Sequence, residues 1–446
     1  MTRLLTLLKG ILSAPVSRIL LGSVIGQGAV LLSSPFLTRI YGPDAFGGLA
    51  VITSIVGILG GLATMAWDRA IVVPADDGSA RNLVRLGLLS VAGVGILVAL
   101  VFYFASAPLS VLLSWPELAE FWWIVPTTVA AVGCYSVASS WLVRGQRYDG
   151  LAVRNLTQGL TQAASSLLLG IVGWIPGGLL VSLGVGRLAG LVGIGLNRRR
   201  GAAEDAAPPL RETASRFRRF PLITAWSGLA NAIGLQLPLL LMAGAYGTAQ
   251  IGLYALTIRV IASPIGLVVD ATSQYFEGRF ARQARESARQ SWPLLRSTVV
   301  RLLAAGVVPA ALLLVAGPPL FGWVFGSQWR DAGTFAQVLA VMYLAQFAIV
   351  PISRTLTILE LQGRQFVWDV GRAVATCVGV AVAAALGAPL VVTVLVFGAV
   401  QLVFYVVMFA MCRTAAKQAD EKGTTLPAAH ETNELTDPDT GLTVQD

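Results

Sequence analysis

The chain has 446 residues, of which 55% are hydrophobic and only 12% charged, and its formal net charge is +9. Soluble domains average ~25% charged residues, so the composition excludes an ordinary water-soluble enzyme and, for the bulk of the chain, disorder. The apolar residues occur in long blocks, and the block from Leu86 to Phe104 contains no charged residue. About 20 such residues suffice for a helix to cross a bilayer, so the sequence predicts an all-α polytopic membrane protein.

Twelve segments are predicted to span the membrane, in two lobes of six helices each. They are residues 18–38, 47–67, 83–105, 121–142, 152–173, 177–196, 221–243, 248–271, 295–317, 334–356, 366–386 and 389–411. The predicted organisation is an interfacial N-terminal segment (1–17), an N-lobe (18–196), a cytoplasmic linker (197–220), a C-lobe (221–412) and a disordered cytoplasmic tail (413–446).

The positions of the 32 lysines and arginines predict the orientation. With the amino terminus in the cytoplasm, nearly all of them fall in cytoplasmic loops or tails, and only Arg39 and Arg330 fall in loops on the opposite face. The positive-inside rule therefore places both termini in the cytoplasm. The same distribution explains the positive charge through topology and contact with anionic lipid, so no nucleic-acid partner is predicted.

Three cysteines and one histidine limit the chemistry that the chain can perform. They exclude a disulfide framework, a histidine-based metal site and a Ser-His-Asp or Cys-His catalytic arrangement. The sequence G-x-x-x-x-G-K-[ST], which would form a phosphate-binding loop for ATP hydrolysis, is absent. We therefore expect a protein that is not an enzyme and that uses no cofactor or metal.

A short motif occurs twice, at positions that correspond in the two halves. Residues 41–47 read Tyr-Gly-Pro-Asp-Ala-Phe-Gly, and residues 246–252 read Tyr-Gly-Thr-Ala-Gln-Ile-Gly, 205 positions later. This offset maps the first two predicted spans onto the seventh and eighth. Each half has an even number of spans, so the repeat is predicted to be parallel, with a cavity where the halves meet.

Two arginines are predicted to lie deep in the bilayer. Arg259 is about a dozen residues into the eighth span, roughly 18 Å from its outer end at 1.5 Å per residue, and Arg187 is near the middle of the sixth span. Charged residues at this depth are costly and usually face a cavity or a partner. Because a guanidinium is always charged and suits bidentate phosphate contacts, we interpret both as lining a cationic cavity for an anionic cargo.

Neutral polar residues recur at helical spacing and are candidates to line the same cavity. For each amide taken singly, hydrogen bonding between helices is the preferred interpretation and a cavity position is the alternative. For Trp226, packing or an interfacial position is preferred over stacking on a sugar. Asp270, near the cytoplasmic end of the eighth span, is the candidate for ion coupling. The candidates for contact with a glycan are Gln27, Gln158, Gln162, Asn231 and Trp226.

The residues Leu37-Thr38-Arg39-Ile40-Tyr41-Gly42-Pro43-Asp44-Ala45-Phe46-Gly47, with Ala70-Ile71-Val72-Val73-Pro74, carry a family resemblance. They resemble the polysaccharide-transporter family (Wzx-type O-antigen and exopolysaccharide flippases) of the multidrug/oligosaccharidyl-lipid/polysaccharide (MOP) superfamily. Gly252-Leu253-Tyr254-Ala255 with Arg259 and Pro264 is similar to the second half of that family, and the resemblance extends to about Cys412.

This resemblance implies a fold like that of MATE and other MOP transporters, with a V-shaped pair of six-helix lobes working by alternating access. The implied function is the transfer of undecaprenyl-diphosphate-linked oligosaccharide from the inner to the outer leaflet of the bacterial inner membrane. It also implies substrate-binding roles for Arg39 and Arg259. The expected partners are the lipid-linked oligosaccharide and membrane lipids, with a polysaccharide polymerase and a chain-length regulator in addition.

Two other functions stay open at this point. A cation-coupled multidrug exporter could share the fold, but its cavity would be expected to carry carboxylates, and the first and seventh spans hold none. A membrane glycan polymerase or glycosyltransferase would need a catalytic site at the outer face. There, Glu117 and Glu120 form the only close carboxylate pair, and the predicted loops are too short to enclose a sugar.

Overall fold

The computed structural model describes residues 15–196, 208–286 and 291–422. Most of the predicted N-terminal segment, the first part of the linker and the tail beyond Lys422 lie outside these ranges. The described residues form helices joined by turns, without a β-strand among them. We name the α-helices α1 to α16 in chain order: Pro15–Leu32, Ser34–Ile40, Pro43–Ala63, Trp67–Ala70, Asp77–Leu112, Ile124–Arg144, Tyr148–Ile171, Gly177–Leu196, Leu210–Arg216, Ala225–Tyr246, Thr248–Glu286, Ser291–Phe325, Arg330–Ile349, Arg354–Ile358, Gln362–Ala385 and Leu390–Lys422.

Within the described ranges, nine helical segments are long and apolar enough to cross a bilayer. The three long helices outside this group are α6, α7 and α8, and α8 contains a shorter apolar segment, Gly177–Gly193. Charged and amide side chains occur more often in α7 than in its neighbours α6 and α8, and they make α7 the least apolar of the three. The prediction of a helical membrane protein is confirmed, while the count of twelve spans stays a prediction.

Several helices extend beyond the apolar blocks that predicted them. Helix α5 begins at Asp77, six residues before the predicted span, because the preceding Asp76 caps it and accepts a hydrogen bond of 2.6 Å from the backbone N–H of Ser79. That bond lowers the pKa of the Asp76 carboxyl from its ordinary value. At the other end of the chain, α16 continues to Lys422, ten residues into the predicted tail.

Contact density divides the chain into two units, and the first comprises residues 1–267, 309–343 and 370–401. Within it, α7 packs against both α1 and α8, and α3 packs against α10. Near the start of α5, a cluster of buried residues forms a small core that includes Trp67, Leu83 and Phe217. The boundaries of this unit do not follow the predicted lobes, which stay a prediction.

Arg144, at the end of α6, joins three parts of this first unit. Its Nη2 and Nε atoms donate to the Asp77 carboxylate at 2.9 and 3.1 Å, and its guanidinium also donates to the backbone carbonyls of Ile71, Pro74 and Ala75. A charge-assisted network of this kind fixes the turn between α4 and α5 against the end of α6. Two of its carbonyl partners lie in the Ala70–Pro74 motif that carried the family resemblance.

The two copies of the repeated motif touch each other through their second glycines. A Cβ added to Gly47 would lie 2.0 Å from the carbonyl oxygen of Thr248, and one added to Gly252 would lie 1.8 Å from the carbonyl oxygen of Pro43. The offset of 205 residues maps Gly47 onto Gly252 and Pro43 onto Thr248, so the two contacts are equivalent. Reciprocal contacts of this form are those of an isologous interface, here between two segments of one chain.

The second unit comprises residues 268–308, 344–369 and 402–446. In it, the Asp420 carboxylate accepts hydrogen bonds of 2.9 and 3.0 Å from the backbone N–H groups of Ser291 and Trp292, at the start of α12. A carboxylate at a helix N-terminus satisfies free N–H groups and interacts favourably with the helix dipole. This contact explains why α16 remains helical beyond the apolar block that predicted it.

Candidate functional site

A cavity of about 420 Å³ lies within the first unit, where α1, α6, α7, α8 and α11 meet. We call it the polar cavity. Most of the residues that line it have polar side chains, and none of the lining residues is Asp or Glu. They are Ser23, Gly26, Gln27, Val30, Leu31, Tyr135, Arg154, Asn155, Gln158, Gly159, Gln162, Arg187, Arg259 and Ser263.

Glycines bring the helices around this cavity close together. A Cβ added to Gly26 on α1 would lie 2.3 Å from the carbonyl oxygen of Asn155 on α7, and one added to Gly159 would lie 2.2 Å from the carbonyl oxygen of Gly26. A Cβ added to Gly186 on α8 would likewise lie 3.0 Å from the carbonyl oxygen of Gln158. Small residues therefore allow near-contact of backbones, as is common between membrane helices, and leave the longer polar side chains to project into the cavity beside them.

Two of the three arginines in the cavity share one aromatic ring. The guanidinium carbons of Arg154 and Arg187 lie 4.3 and 4.8 Å from the centroid of the Tyr135 ring. Such cation–π contacts are worth ~0.5–2 kcal/mol each, depending on how far the cation is removed from water. The ring therefore offsets part of the cost of placing two like charges near each other, and does so without a carboxylate.

Arg154 is the centre of a hydrogen-bonded network between α1, α6 and α7. Its Nε and Nη2 atoms donate to Asn155 Oδ1 at 3.1 and 2.6 Å, and its Nη1 atom donates to Ser139 Oγ. Asn155 Nδ2 in turn donates to Ser23 Oγ at 2.7 Å, and Tyr135 donates to Asn155 Oδ1 at 3.2 Å. All these partners are neutral, so the network orients the guanidinium but leaves its charge uncompensated.

The other two arginines have fewer partners. Arg187 donates from Nη1 to Gln158 Oε1 at 3.4 Å, and Arg259 donates from Nη2 to the backbone carbonyl of Val30 at 3.2 Å. The Nε atom of Arg259 is buried and has no hydrogen-bond partner among the described residues. Within the ranges that the structure describes, none of the three cavity arginines forms an ion pair with a carboxylate. The cavity is therefore cationic, with donors available to an anion.

A second cavity, also of about 420 Å³, lies within the same unit and shares Arg259. We call it the apolar cavity, because apolar side chains form most of its lining. The lining residues are Phe46, Leu49, Ala50, Thr53, Ser54, Leu183, Leu235, Gln236, Pro238, Leu239, Tyr254, Ala255, Ile258, Arg259 and Phe397.

Five of the residues predicted from the sequence lie together in the polar cavity: Gln27, Gln158, Gln162, Arg187 and Arg259. Their roles in binding stay predictions, but their convergence from four helices is a finding of the structure. Ser23, Arg154, Asn155 and Ser263 lie on the polar helix faces that the sequence indicates but were not chosen as site residues, and Tyr135 was not indicated at all. The available signal was spacing, because Arg154 is four residues before Gln158 and Ser263 four after Arg259, on the same helix faces.

The other four predicted residues line neither cavity. Arg39 is exposed and donates from Nη1 to the backbone carbonyl of Pro35 at 2.6 Å. Asn231 and Trp226 are exposed on α10, with 54% of Trp226 accessible. Asp270 is exposed on the part of α11 that belongs to the second unit. The proposed roles of these four in substrate binding and ion coupling stay predictions.

Nothing among the described residues resembles a metal centre, since no group of three or more His, Cys, Asp or Glu side chains comes together there. The polar groups that line the polar cavity are positively charged guanidiniums, amides and hydroxyls. Groups of this kind are chemically suited to contact an oxyanion beside a hydroxyl-rich ligand.

Comparison with solved structures shows that the chain has the fold of transporters of the MOP superfamily. Its fold matches an inward-facing MATE-family multidrug resistance transporter of the MOP superfamily with a TM-score of 0.69, at 15% identity, over 92% of this chain and 100% of that one. It also matches the lipid II flippase MurJ in an inward closed conformation, with a TM-score of 0.63, at 12% identity, over 90% of this chain and 88% of that one.

The chain belongs to the family described as polysaccharide biosynthesis protein, whose profile matches residues 36–334. The succinoglycan biosynthesis transport protein ExoT of Rhizobium meliloti (strain 1021) is 26% identical to it over 360 residues, which are 79% of this chain and 70% of that protein. The predicted resemblance to a polysaccharide family with the MOP fold is thereby confirmed, and the chain is an integral membrane protein.

Proposed function

We propose that the protein is a flippase that moves a polyprenyl-diphosphate-linked oligosaccharide from the inner to the outer leaflet of the bacterial inner membrane, for polysaccharide biosynthesis. The polar cavity supports this proposal, because Arg154, Arg187 and Arg259 face one space with no carboxylate among its lining residues. A diphosphate supplies the missing negative charge, and its oxygens match the donors of a guanidinium.

The neutral part of the cavity suits the sugars. Gln27, Gln158 and Gln162 present amide groups beside the three arginines. Amides donate and accept hydrogen bonds, so they can replace the water that sugar hydroxyls lose on entering the cavity. The similarity to a succinoglycan transport protein and to a lipid II flippase fold supports a glycan-bearing lipid as the cargo. Undecaprenyl is the polyprenyl chain that we expect in a bacterium.

A cation-coupled multidrug exporter is the main alternative, since the fold also matches a MATE-family transporter. A cationic drug would meet like charge in the polar cavity and find no acidic partner among its lining residues. Asp270 is exposed and is not among the lining residues of either cavity. The flippase is therefore the function that the geometry favours.

Replacing Arg259 tests the proposal directly. Arg259→Gln removes one cavity charge but keeps a hydrogen-bond donor, and we expect export of the glycan to fall at least tenfold while the amount of protein in the membrane stays the same. Arg330→Gln is the matched control, since Arg330 is exposed and lines neither cavity. Export is measured in cells that lack the native gene, by quantifying surface glycan. Normal export by Arg259→Gln would refute a role for this charge in transport.

A further inference from the structure

We propose that the apolar cavity binds the first isoprene units of the lipid, while Arg259, at the junction of the two cavities, holds the diphosphate to which they are attached. This inference rests on the proposed function and assigns a second binding compartment to the same substrate. The polar and apolar parts of one amphiphilic ligand would then bind in separate cavities, one polar and one apolar. The diphosphate and the sugars occupy the polar cavity, and the proximal hydrocarbon occupies the apolar one.

Arg259 borders both cavities, since it lines each of them. On one side its Nη2 atom donates to the carbonyl of Val30, which also lines the polar cavity. On the other side its guanidinium carbon lies 6.0 Å from the centroid of the Phe46 ring, which lines the apolar cavity. A ligand held by Arg259 can therefore extend into both spaces at once.

The chemistry of the apolar cavity selects for hydrocarbon. Its walls are built from side chains such as Leu49, Leu183, Leu235 and Ile258, and Arg259 is the only charged residue in its lining. Neutral polar side chains are a minority there. Hydrocarbon packs against such walls without leaving buried polar groups unpaired. Water in this space would find few partners.

The size of the apolar cavity sets the length of chain that it can hold. Its volume of about 420 Å³ corresponds to roughly 14 groups of ~30 Å³, the share of one water molecule in the liquid. That is two to three isoprene units of five carbons each. A farnesyl group, with three isoprene units, is therefore a suitable probe, and the rest of a longer polyprenyl chain lies outside this cavity.

Other ligand classes fit this pair of spaces less well. A neutral lipid without a phosphate would bury Arg259 against hydrocarbon and leave its Nε atom, which has no partner among the described residues, without an acceptor. A water-soluble sugar nucleotide would leave the apolar cavity unfilled. An anion with a hydrocarbon tail satisfies both requirements, and that is the chemistry of a polyprenyl diphosphate.

The test compares inorganic pyrophosphate with farnesyl diphosphate on the purified full-length protein. Because the farnesyl group enters the apolar cavity, we expect farnesyl diphosphate to bind the unmodified protein about tenfold more tightly than pyrophosphate. Ala255→Trp places an indole in the apolar cavity and should reduce this preference to less than about twofold, with the pyrophosphate Kd unchanged. Ala249→Trp is the matched control on the same helix, since Ala249 is exposed and lines neither cavity.

Each outcome separates this inference from the proposed function. If Ala255→Trp keeps the full preference, or if the unmodified protein binds both probes equally, the apolar cavity is not a lipid site, while the diphosphate site stands. If neither probe binds, or if Arg259→Gln binds both as tightly as the unmodified protein, the proposed function fails as well.

A second measurement avoids dependence on the folding of one variant. Ala50→Trp fills the same cavity from α3, and it should reduce the farnesyl preference in the same way. In the unmodified protein, a photoreactive farnesyl diphosphate should label residues 235–239 and 254–258, and excess pyrophosphate should reduce the labelling. Labelling confined to segments that do not line the apolar cavity would overturn the proposal.

Discussion

Tyr135 shows how a single side chain can make a cluster of like charges tolerable. Its ring lies within 5 Å of the guanidinium carbons of both Arg154 and Arg187, and its hydroxyl donates to Asn155, which also accepts from Arg154. The ring stabilises positive charge without neutralising it. An aspartate at this place would stabilise the same arginines more strongly but would also compete with an incoming phosphate. A neutral partner therefore suits a site that must remain cationic.

Replacing Tyr135 tests the role of this ring. Tyr135→Leu removes the quadrupole that both guanidiniums face, and we expect the Kd for inorganic pyrophosphate to rise about tenfold, in line with cation–π contributions of ~0.5–2 kcal/mol each. Tyr135→Phe keeps the ring and loses only the hydrogen bond to Asn155, so its Kd should change less than about threefold. An equal rise in Kd for the two variants would show that the hydroxyl, and not the ring, organises the arginines.

Close helix contacts around the polar cavity are the main feature at the level of elements. Helices α1 and α7 approach until the backbones at Gly26, Asn155 and Gly159 nearly touch, and α8 joins them at Gly186. The polar side chains that line the cavity lie on these same closely packed helices, beside the glycines that let the backbones approach.

Two glycines on α1 provide a matched pair for testing this arrangement. A Cβ at Gly26 would meet the backbone of Asn155 at 2.3 Å, whereas one at Gly28 meets nothing within 4 Å. We expect Gly26→Ala to destabilise the protein by ~1–3 kcal/mol through overpacking, and Gly28→Ala to be neutral or stabilising by up to ~1 kcal/mol because alanine favours helix. Thermal unfolding of the purified variants measures both effects. Equal melting temperatures would contradict the close packing of α1 and α7.

The sequence was sufficient for some of these features and not for others. The apolar blocks predict the helical membrane fold, and the depth of Arg187 and Arg259 predicts a buried cationic site. Arg154 escaped selection because it lies near the predicted end of its span, where a basic residue also serves as a topology signal. Asn231 and Trp226 were selected on α10, which is apolar around most of its surface, so its composition does not indicate which face meets a cavity. Packing between segments that are distant in sequence determines which face of α10 meets a cavity.

At the scale of the whole molecule, the charge of the proposed ligand determines how the membrane potential acts on its transport. Under the proposed function, the polar cavity receives a ligand with about two negative charges, and none of its lining residues is a carboxylate that could couple to Na⁺ or H⁺. Moving one negative charge outward across an inside-negative membrane releases ~2.3 kcal/mol per 100 mV. We therefore propose that the membrane potential drives net transfer of the lipid diphosphate.

Flipping in proteoliposomes tests this mode of energy supply. With equal Na⁺ and pH on both sides, an imposed potential that is negative on the donor side should accelerate transfer of the lipid diphosphate, and the reversed potential should slow it. Transfer is followed by the accessibility of the glycan to an enzyme or reagent added outside. Transfer that responds only to a Na⁺ or pH gradient, and not to potential, would contradict the mechanism and direct attention to Asp270.

The contact between the repeated motifs has a consequence for how this chain can diverge. In a homodimer of identical halves, every substitution at such an interface would occur twice. Here each partner can vary alone, and one side has done so: Thr248 donates from its hydroxyl to Asp44 at 2.9 Å, while the mirrored positions are Pro43 and Ala249, which have no side-chain groups to form such a bond. Because the two motifs lie in one polypeptide, the two sides of their contact can carry different residues, and the hydrogen bond from Thr248 to Asp44 forms on one side only.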